Sequence, residues 1–284
     1  MPKIRVLALH GFTGCGDDFE PLRRAAPQAW EWHCPEWPKD GHGGDGAARA
    51  GAVARHFAVI DDALAAFEAN SVRPLPMPCS FPHPHPHPLP HPHLLPRPLP
   101  VLLGYSMGGR LALQWAARHA DVLCEKISAL VLIGASPGIA DADARTRRRE
   151  ADNALADAVC RSGTAAFLEH WWHSELFAGL PKNLSPAALA ALRERRLRNA
   201  PEDLAASLRG VGAGALPPVW DALPRLHVPT LCAAGANDKK FCAIAAEMAA
   251  QLPLGRTFFA RGAWHLPHIE KPAALARALV ALTR

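Results

Sequence analysis

Four short runs of apolar residues recur along the chain, at residues 4–11, 101–106, 128–136 and 229–235. Each run is rich in aliphatic or β-branched residues and meets a glycine near its end, so each predicts a buried strand followed by a loop. Stretches with apolar residues at helical spacing lie between and after them, at 46–70, 107–121, 240–252 and 272–284. Strands that alternate with helices predict an α/β fold, a mostly parallel sheet with helices on both faces.

Residues 140–210 interrupt this alternation. They contain arginine- and alanine-rich helical patterns and the segment "FLEHWWHSELF", but no convincing strand pattern. We interpret them as a helical cap inserted between two parts of one core, residues 1–139 and residues 211–284. At 284 residues, the chain is long enough for one large domain with such an insertion.

Residues 71–100 form a Pro/His-rich insertion in the first part of the core. They contain 12 of the 28 prolines, which exclude a helix or a central strand. Five histidines alternate with these prolines, so adventitious metal binding is one interpretation and an exposed, extended linker is the other. The segment precedes the strand at 101–106, whereas sites of parallel sheets lie at the carboxyl ends of the strands. We therefore expect the insertion to take no part in the chemistry.

Composition and charge narrow the class of protein. The chain contains no run of about 18 apolar residues, so we expect no membrane span. It begins with a strand pattern rather than that of a signal peptide. Seven scattered cysteines without a C-x-x-C pair favour reduced thiols in the cytoplasm. The net charge of +5 comes mainly from arginine, and arginines cluster at 145–149 and 193–198. These clusters form solvated helix faces or bind an anionic small molecule; no motif indicates nucleic-acid binding.

The segment "GYSMG", residues 104–108, has the G-x-S-x-G pattern between a predicted strand and a predicted helix. That context is typical of a nucleophile elbow, a sharp turn that exposes the serine, here Ser106, at the end of the sheet. The backbone N–H of Met107 then faces the same point and can stabilise an oxyanion. A second donor is expected from the loop after the first strand, where Phe12 follows "LHG". We expect His10 in that loop to brace it rather than to act as a base.

An acid and a base follow the serine in the chain order expected for this kind of site. Asp238 follows the strand at 229–235, and His265 and His268 follow the next strand. We assign His265 as the base because it is closer to the strand end, and Asp238 as the group that orients it. The alternative for Asp238 is a helix N-cap, and His268 is expected to be a neighbour of the site.

Several longer segments carry a family resemblance. "LHGFTGCGDDFEPL", "GYSMGGRLAL", "SPGIADADARTRRREAD", "RLRNAPEDLAASLRGVGAGALPPVW" and "GANDKKF…H…HIEKP" together resemble the 2-succinyl-6-hydroxy-2,4-cyclohexadiene-1-carboxylate synthases, a subgroup of the α/β-hydrolase superfamily. The resemblance covers the chain except residues 71–100. It implies an α/β-hydrolase fold and a lyase of menaquinone and phylloquinone biosynthesis, which eliminates pyruvate from an enolpyruvyl cyclohexene.

The resemblance also implies how the substrate is held. By matching positions, Arg148 and Arg196 correspond to the anion-binding arginines of the family, and Tyr105 and Trp171 would line the pocket. It implies a small polycarboxylate as the substrate and neither a metal nor an organic cofactor, and we expect a monomer that does not insert into membranes. One departure is Trp264, which stands where the family has glycine before the catalytic histidine.

Two other functions remain open at this point. An ester or thioester hydrolase would use the same serine, acid and histidine for acyl transfer, so only the arginines distinguish it from the lyase. A binding protein without catalysis would keep the fold and lose the reactivity of the serine.

Overall fold

A single sheet of six strands, all parallel, runs through the molecule in the order β2-β1-β3-β4-β5-β6. The computed structural model describes residues 4–39, 46–69 and 99–284. The strands are β1 (Arg5–Leu9), β2 (Glu31–His33), β3 (Val101–Tyr105), β4 (Ala129–Ile133), β5 (Thr230–Gly235) and β6 (Gly255–Ala260). The register pairs Val6 with Val101 and Val101 with Ala129, so the carboxyl ends of the central strands lie together.

Helices connect the strands. They are α1 (Glu20–Ala25), α2 (Gly46–Ala69), α3 (Met107–Arg118), α4 (Leu123–Lys126), α5 (Ala142–Trp172), α6 (Leu180–Asn183), α7 (Pro186–Leu197), α8 (Pro201–Val211), α9 (Lys239–Gln251), α10 (Pro267–Glu270) and α11 (Pro272–Leu282). None of the helices in the described ranges is long and apolar enough to cross a membrane. The Pro/His-rich insertion lies outside the described residues, apart from its last two.

The core consists of two layers, one on each face of the sheet. Side chains of successive strand residues point to opposite faces. Leu102 therefore packs with residues of α2, α3 and α9, whereas Leu103 packs with residues of α1 and α11. All five residues of β3 and all five of β4 are buried, as expected for strands covered on both faces.

Helices α5 to α8 follow β4 and precede β5, and we call residues 142–211 the cap. Asp141 begins α5 by accepting a hydrogen bond from the Ala144 N–H at 2.7 Å. The helix is interrupted at Gly163, whose φ of 77° is in the left-handed region. Side chains of α5 and α8 form a separate apolar cluster: Ala156, Val159, Phe167, Leu168, Leu204, Ala205 and Leu208. The boundaries 140 and 210 inferred from the sequence stay a prediction.

Candidate active site

Ser106 occupies a strained turn between β3 and α3. Its φ of 50° and ψ of −108° are rare for a residue with a side chain, and such conformations cost about 1–3 kcal/mol. Two backbone hydrogen bonds hold the turn: the Ser106 N–H donates to the Ile133 carbonyl at 2.8 Å, and the Ser106 carbonyl accepts from the Arg110 N–H at 2.9 Å. The turn directs the hydroxyl into the cavity at the carboxyl end of the sheet.

The glycines on either side of the serine permit this turn. A Cβ on Gly104 would lie 2.5 Å from the Gly108 carbonyl oxygen, and a Cβ on Gly108 would lie 2.2 Å from the Leu9 carbonyl oxygen. Both contacts are far inside the van der Waals distance and involve backbone that cannot move away. The G-x-S-x-G spacing is therefore a steric requirement of the strand-to-helix crossing.

A chain of hydrogen bonds joins Ser106, His265 and Asp238. His265 Nε2 lies 3.2 Å from Ser106 Oγ, and His265 Nδ1 lies 2.7 Å from Asp238 Oδ2. The other carboxylate oxygen of Asp238 accepts the Phe241 N–H at 3.2 Å, which caps α9. Asp238 is thus both the partner of the histidine and a helix N-cap, the two alternatives considered from the sequence.

His268, the second histidine of the segment, lies away from the serine. It is fully buried, with its ring 4.2 Å from that of Tyr105 and 5.3 Å from that of Phe19. Burial lowers the pKa of His268 to about 3, with the positive charge of Arg196 acting in the same direction and the carboxylate of Asp18 against it. His268 is therefore a neutral packing residue and does not line the cavity.

Two backbone N–H groups are available as oxyanion donors. Phe12 follows β1, Met107 follows the serine, and both residues line the cavity with Ser106. Within the described residues, neither N–H donates to a protein acceptor. His10 braces the loop that carries Phe12: its Nδ1 lies 3.0 Å from the Gly11 carbonyl, and its Nε2 lies 3.5 Å from Glu36.

The cavity at the serine has a volume of about 590 Å³, within the range of small-molecule sites. Core and cap both contribute to its wall. Its charged and aromatic lining residues are Phe12, Arg110, Arg148, Asp152, Trp171, Glu175, Trp220, Asp238, Lys239, Lys240, Phe241, Trp264 and His265. Four basic side chains against three carboxylates, one of them the histidine's partner, make this wall suited to an anionic ligand.

Arg148 and Arg110 bring guanidinium groups to the cavity from cap and core. Arg148 Nε donates to Asp152 at 2.8 Å, and the Arg148 side chain remains 40% exposed. Arg110 donates to the Val211 carbonyl at 3.4 Å. Burial lowers the pKa of Arg110 to about 10, and the positive charge of Arg148 contributes, so the group is charged at neutral pH. The sequence analysis did not assign Arg110 to the cavity; its position one helical turn after Ser106 was the available signal.

The structure places two residues that were expected at the pocket elsewhere. Arg196 is 4% exposed, and its Nη1 lies 2.6 Å from the buried carboxylate of Asp18. Tyr105 ends β3 with its side chain on the opposite face of the sheet from α3, where it packs against His268. Neither residue lines the cavity, because an internal carboxylate binds the arginine and strand alternation turns the tyrosine away.

The two tryptophans singled out in the sequence do line the cavity. Trp171 meets Phe12 edge to face, with ring centroids 5.6 Å apart, and stacks on Phe167 within the cap. Trp264 precedes His265 and lies against Gly179 of the cap. Trp171 therefore belongs both to the packing of the cap and to the wall of the site.

The described ranges contain no group of three His, Cys, Asp or Glu side chains that could hold a metal ion.

A parallel sheet, a serine on a strained turn, and an aspartate and histidine at neighbouring strand ends define the class of protein. Residues 6–278 match the alpha/beta hydrolase family, and the chain belongs to that family. The fold inferred from the sequence resemblance is thereby confirmed.

Two relatives with assigned names are similar to this chain in sequence. A protein of Bacillus subtilis (strain 168), provisionally named 2-succinyl-6-hydroxy-2,4-cyclohexadiene-1-carboxylate synthase, is 39% identical over 60% of this chain and 61% of its own length. A protein of that name from Salmonella schwarzengrund (strain CVM19633) is 34% identical over 64% of this chain and 68% of its own. The resemblance seen in the sequence is confirmed, and the matched part spans about two thirds of these relatives.

Solved structures show the same fold. MenH from S. aureus superimposes with a TM-score of 0.78 at 23% identity, covering 99% of this chain and 94% of its own. A thermophilic esterase from Thermogutta terrifontis superimposes with a TM-score of 0.67 at 22% identity, covering 98% and 88%. These similarities show the architecture, which the esterase shares, and do not identify the chemistry of this chain.

Proposed function

We propose that the protein is a carbon–oxygen lyase that acts on 2-succinyl-5-enolpyruvyl-6-hydroxy-3-cyclohexene-1-carboxylate. It eliminates pyruvate and gives 2-succinyl-6-hydroxy-2,4-cyclohexadiene-1-carboxylate, a step of menaquinone or phylloquinone biosynthesis. The observation that carries the proposal is the hydrogen-bonded Ser106–His265 pair at a cavity that also contains Arg110 and Arg148. The names of the relatives from Bacillus and Salmonella support it.

Ser106 and His265 move the proton in this proposal. Ser106 Oγ takes the proton from ring carbon 2, next to the succinyl ketone, while its own proton passes to His265 Nε2. The electrons of the broken C–H bond form the 2,3 double bond, the 3,4 double bond shifts to 4,5, and the bond from carbon 5 to the enolpyruvyl oxygen breaks. Pyruvate leaves as its enolate and takes up a proton. Asp238 holds His265 in the tautomer that accepts at Nε2 and stabilises the imidazolium.

The backbone N–H groups of Phe12 and Met107 form the oxyanion hole. Negative charge develops on the oxygen of the succinyl ketone as the ring proton leaves, and two N–H donors stabilise it there. Removing one donor of this type costs about a hundred- to a thousand-fold in rate. Backbone donors cannot be removed by substitution, so the serine and the cationic wall offer the more direct tests.

The basic wall of the cavity binds the three carboxylates of the substrate. Arg110 and Arg148 present planar guanidinium groups that can pair with a carboxylate through two hydrogen bonds and so orient the ring. Lys239 and Lys240 add positive charge at the same cavity. Trp171 and Phe12 supply the apolar surface against which the cyclohexene ring packs. The expected monomer, cytoplasmic location and absence of a cofactor stay predictions.

The alternative is an ester or thioester hydrolase, in which Ser106 Oγ forms an acyl-enzyme that water cleaves. It requires the same Ser106–His265–Asp238 chain, and the similarity to esterase structures is compatible with it. It gives no role to two arginines at the cavity wall, because a neutral ester needs no cationic partner. The lyase is therefore the function that the site supports best.

Pyruvate release from the enolpyruvyl substrate, generated in situ, tests the proposal. We expect rapid release by the wild type and at least a thousand-fold slower release by Ser106→Ala, since loss of one member of such a unit removes most of the catalysis. Ser128→Ala, the same change at an exposed serine, serves as the matched control. Equal release by wild type and Ser106→Ala, together with turnover of simple acyl esters, would favour the hydrolase instead.

A further inference from the structure

Glu270 is a buried carboxylate that lies behind the loop bearing His265. Glu270 is 5% exposed, and none of the described basic side chains forms an ion pair with its carboxylate. Hydrogen bonds replace a counter-ion. The Trp264 N–H donates to its two oxygens at 3.1 and 3.0 Å, the Leu266 N–H donates at 3.0 Å, and Asn183 Nδ2 donates at 2.7 Å. A carboxylate buried in this way is retained only where all its acceptor positions have donors.

The two backbone donors flank His265 in the chain. By accepting the N–H of residue 264 and that of residue 266, one carboxylate holds the backbone on both sides of the histidine. Asp238 holds the imidazole ring at Nδ1. The backbone and the ring of His265 are therefore fixed by two different carboxylates, and only Asp238 touches the imidazole. This matters because a misplacement of about 1 Å at a reacting group can cost a hundred-fold in rate.

The cap contributes to the same arrangement. Asn183, the last residue of α6, donates to the Gly262 carbonyl at 2.9 Å as well as to Glu270. Gly179, at the start of α6, has no space for a side chain: a Cβ there would lie 2.0 Å from the Trp264 ring and 2.6 Å from Glu270 Oε2. Residues 179–183 of the cap thus fit closely against residues 262–270 of the core. The bulky Trp264 is accommodated because the facing cap residue is glycine.

We propose that Glu270 is a positioning residue for His265 and that Asn183 of the cap orients its carboxylate. Glu270 acts through the backbone N–H groups of Trp264 and Leu266 and does not contact the reacting atoms. In this way the cap, besides covering the cavity, helps set the distance between His265 and Ser106. The inference rests on the proposed role of His265 as the base that acts on Ser106.

The test uses Glu270→Gln, which keeps the shape of the side chain but replaces one acceptor oxygen by an NH₂ donor. Either oxygen position faces the Trp264 N–H, so this N–H loses one of its two acceptors and the hold of residue 270 on the His265 loop is weakened. We expect labelling of Ser106 by a fluorophosphonate probe to slow by about 10- to 100-fold. In pyruvate release we expect kcat to fall while KM stays within about two-fold, because the cationic wall is unchanged. Glu247→Gln, the same change at an exposed position of α9, is the control.

A spectroscopic measurement separates positioning from loss of fold. The Nδ1 proton of His265, bonded to Asp238, gives a downfield proton NMR resonance that is identified by its absence in His265→Gln. We expect Glu270→Gln to shift or broaden this resonance. Its thermal unfolding curve should still show one cooperative transition. Asn183→Ala removes only the cap's hydrogen bonds, so it should change the labelling rate in the same direction by a smaller factor. It decides the matter if Glu270→Gln does not fold.

The outcomes distinguish this inference from the proposed function. If wild type and Ser106→Ala were equally unreactive towards the probe, the serine would not be activated, and both ideas would fall. If the wild type reacted and Glu270→Gln matched its labelling rate and its NMR resonance, or Asn183→Ala did so where Glu270→Gln does not fold, the positioning role alone would be overturned. A slower rate with a displaced resonance supports it.

Discussion

The two arginine-rich stretches of the cap are similar in sequence, and the structure uses them differently. Arg148 of α5 bonds Asp152, one turn later on the same helix, and 40% of its side chain is exposed at the cavity. Arg196 of α7 is 4% exposed and pairs across the cap–core boundary with Asp18, whose side chain is fully buried. The first arginine remains accessible to a ligand, and the second joins the cap to the core.

The position of the partner carboxylate therefore decides the role of each arginine. A carboxylate four residues away lies on the same helix face and leaves the guanidinium at the surface. A carboxylate on another element, 178 positions earlier, draws the guanidinium into the interior, where both charges depend on each other. Neither circumstance is visible in the runs "RTRRR" and "RERRLR".

The largest effect is expected when Arg196 is replaced by methionine. Asp18 would then remain buried without its close partner, and removing one member of a buried pair costs about 3–5 kcal/mol of unfolding free energy. We expect the lower end, because Arg195 Nε lies 3.5 Å from the other oxygen of Asp18. Urea unfolding measures the loss, and Asp18→Asn combined with Arg196→Met should recover most of it. An unchanged urea midpoint with a raised KM would show instead that Arg196 binds substrate.

A smaller effect, on affinity rather than stability, is expected for Arg148→Lys. Lysine keeps the positive charge beside Asp152 but loses the planar pair of donors that matches a carboxylate. We expect KM for the enolpyruvyl substrate to rise about ten-fold, equivalent to about 1.4 kcal/mol, with an unchanged urea midpoint. Arg147→Lys, at the exposed neighbouring position, should leave KM unchanged. Equal KM values for the wild type, Arg148→Lys and Arg147→Lys would show that Arg148 does not bind the substrate.

The smallest effect near neutral pH concerns His268, which lies beside the Asp18–Arg196 pair. Its pKa is lowered from 6.5 to about 3 in the folded protein, chiefly by burial, so the unfolded chain binds a proton that the folded chain refuses. Stability from this source is complete well above pH 6.5 and is lost as the pH falls towards 3, by about 1 kcal/mol near pH 6. His268→Leu should therefore show a shallower decline of unfolding free energy in acid. Parallel curves for the two proteins would mean that His268 is protonated when folded.

Local pattern was sufficient for most of the fold. The four strands inferred from apolar runs correspond to β1, β3, β4 and β5, and the helical patterns to α2, α3, α9 and α11. Strand β2 was not predicted, because its three residues, Glu31–His33, are partly exposed and give no apolar run. The short helices α4 and α10 were also missed, since four residues are too few for a helical period to be recognised.

For the candidate site, chain order carried more information than composition. Ser106, Asp238 and His265 each follow a strand, and parallel strands end at one edge of a sheet, so their proximity could be expected from order alone. Arg110 could not be assigned to the cavity in this way, because which face of α3 meets the site depends on how α3 packs against the sheet. The same holds for the hydrogen bond from Asn183 to Glu270, which requires the cap to pack closely against the core near Gly179.

The amino-acid pattern alone predicts the alternation of strands and helices, the strained turn at Ser106 and the order of the acid and the base. These features depend on interactions among residues close in the chain and on the geometry of parallel sheets. The tertiary structure was needed to show that Arg196 pairs with Asp18 and that Asn183 of the cap bonds Glu270 behind the loop of His265. Each of these depends on which groups from distant segments meet in the interior, where desolvation makes a polar partner obligatory.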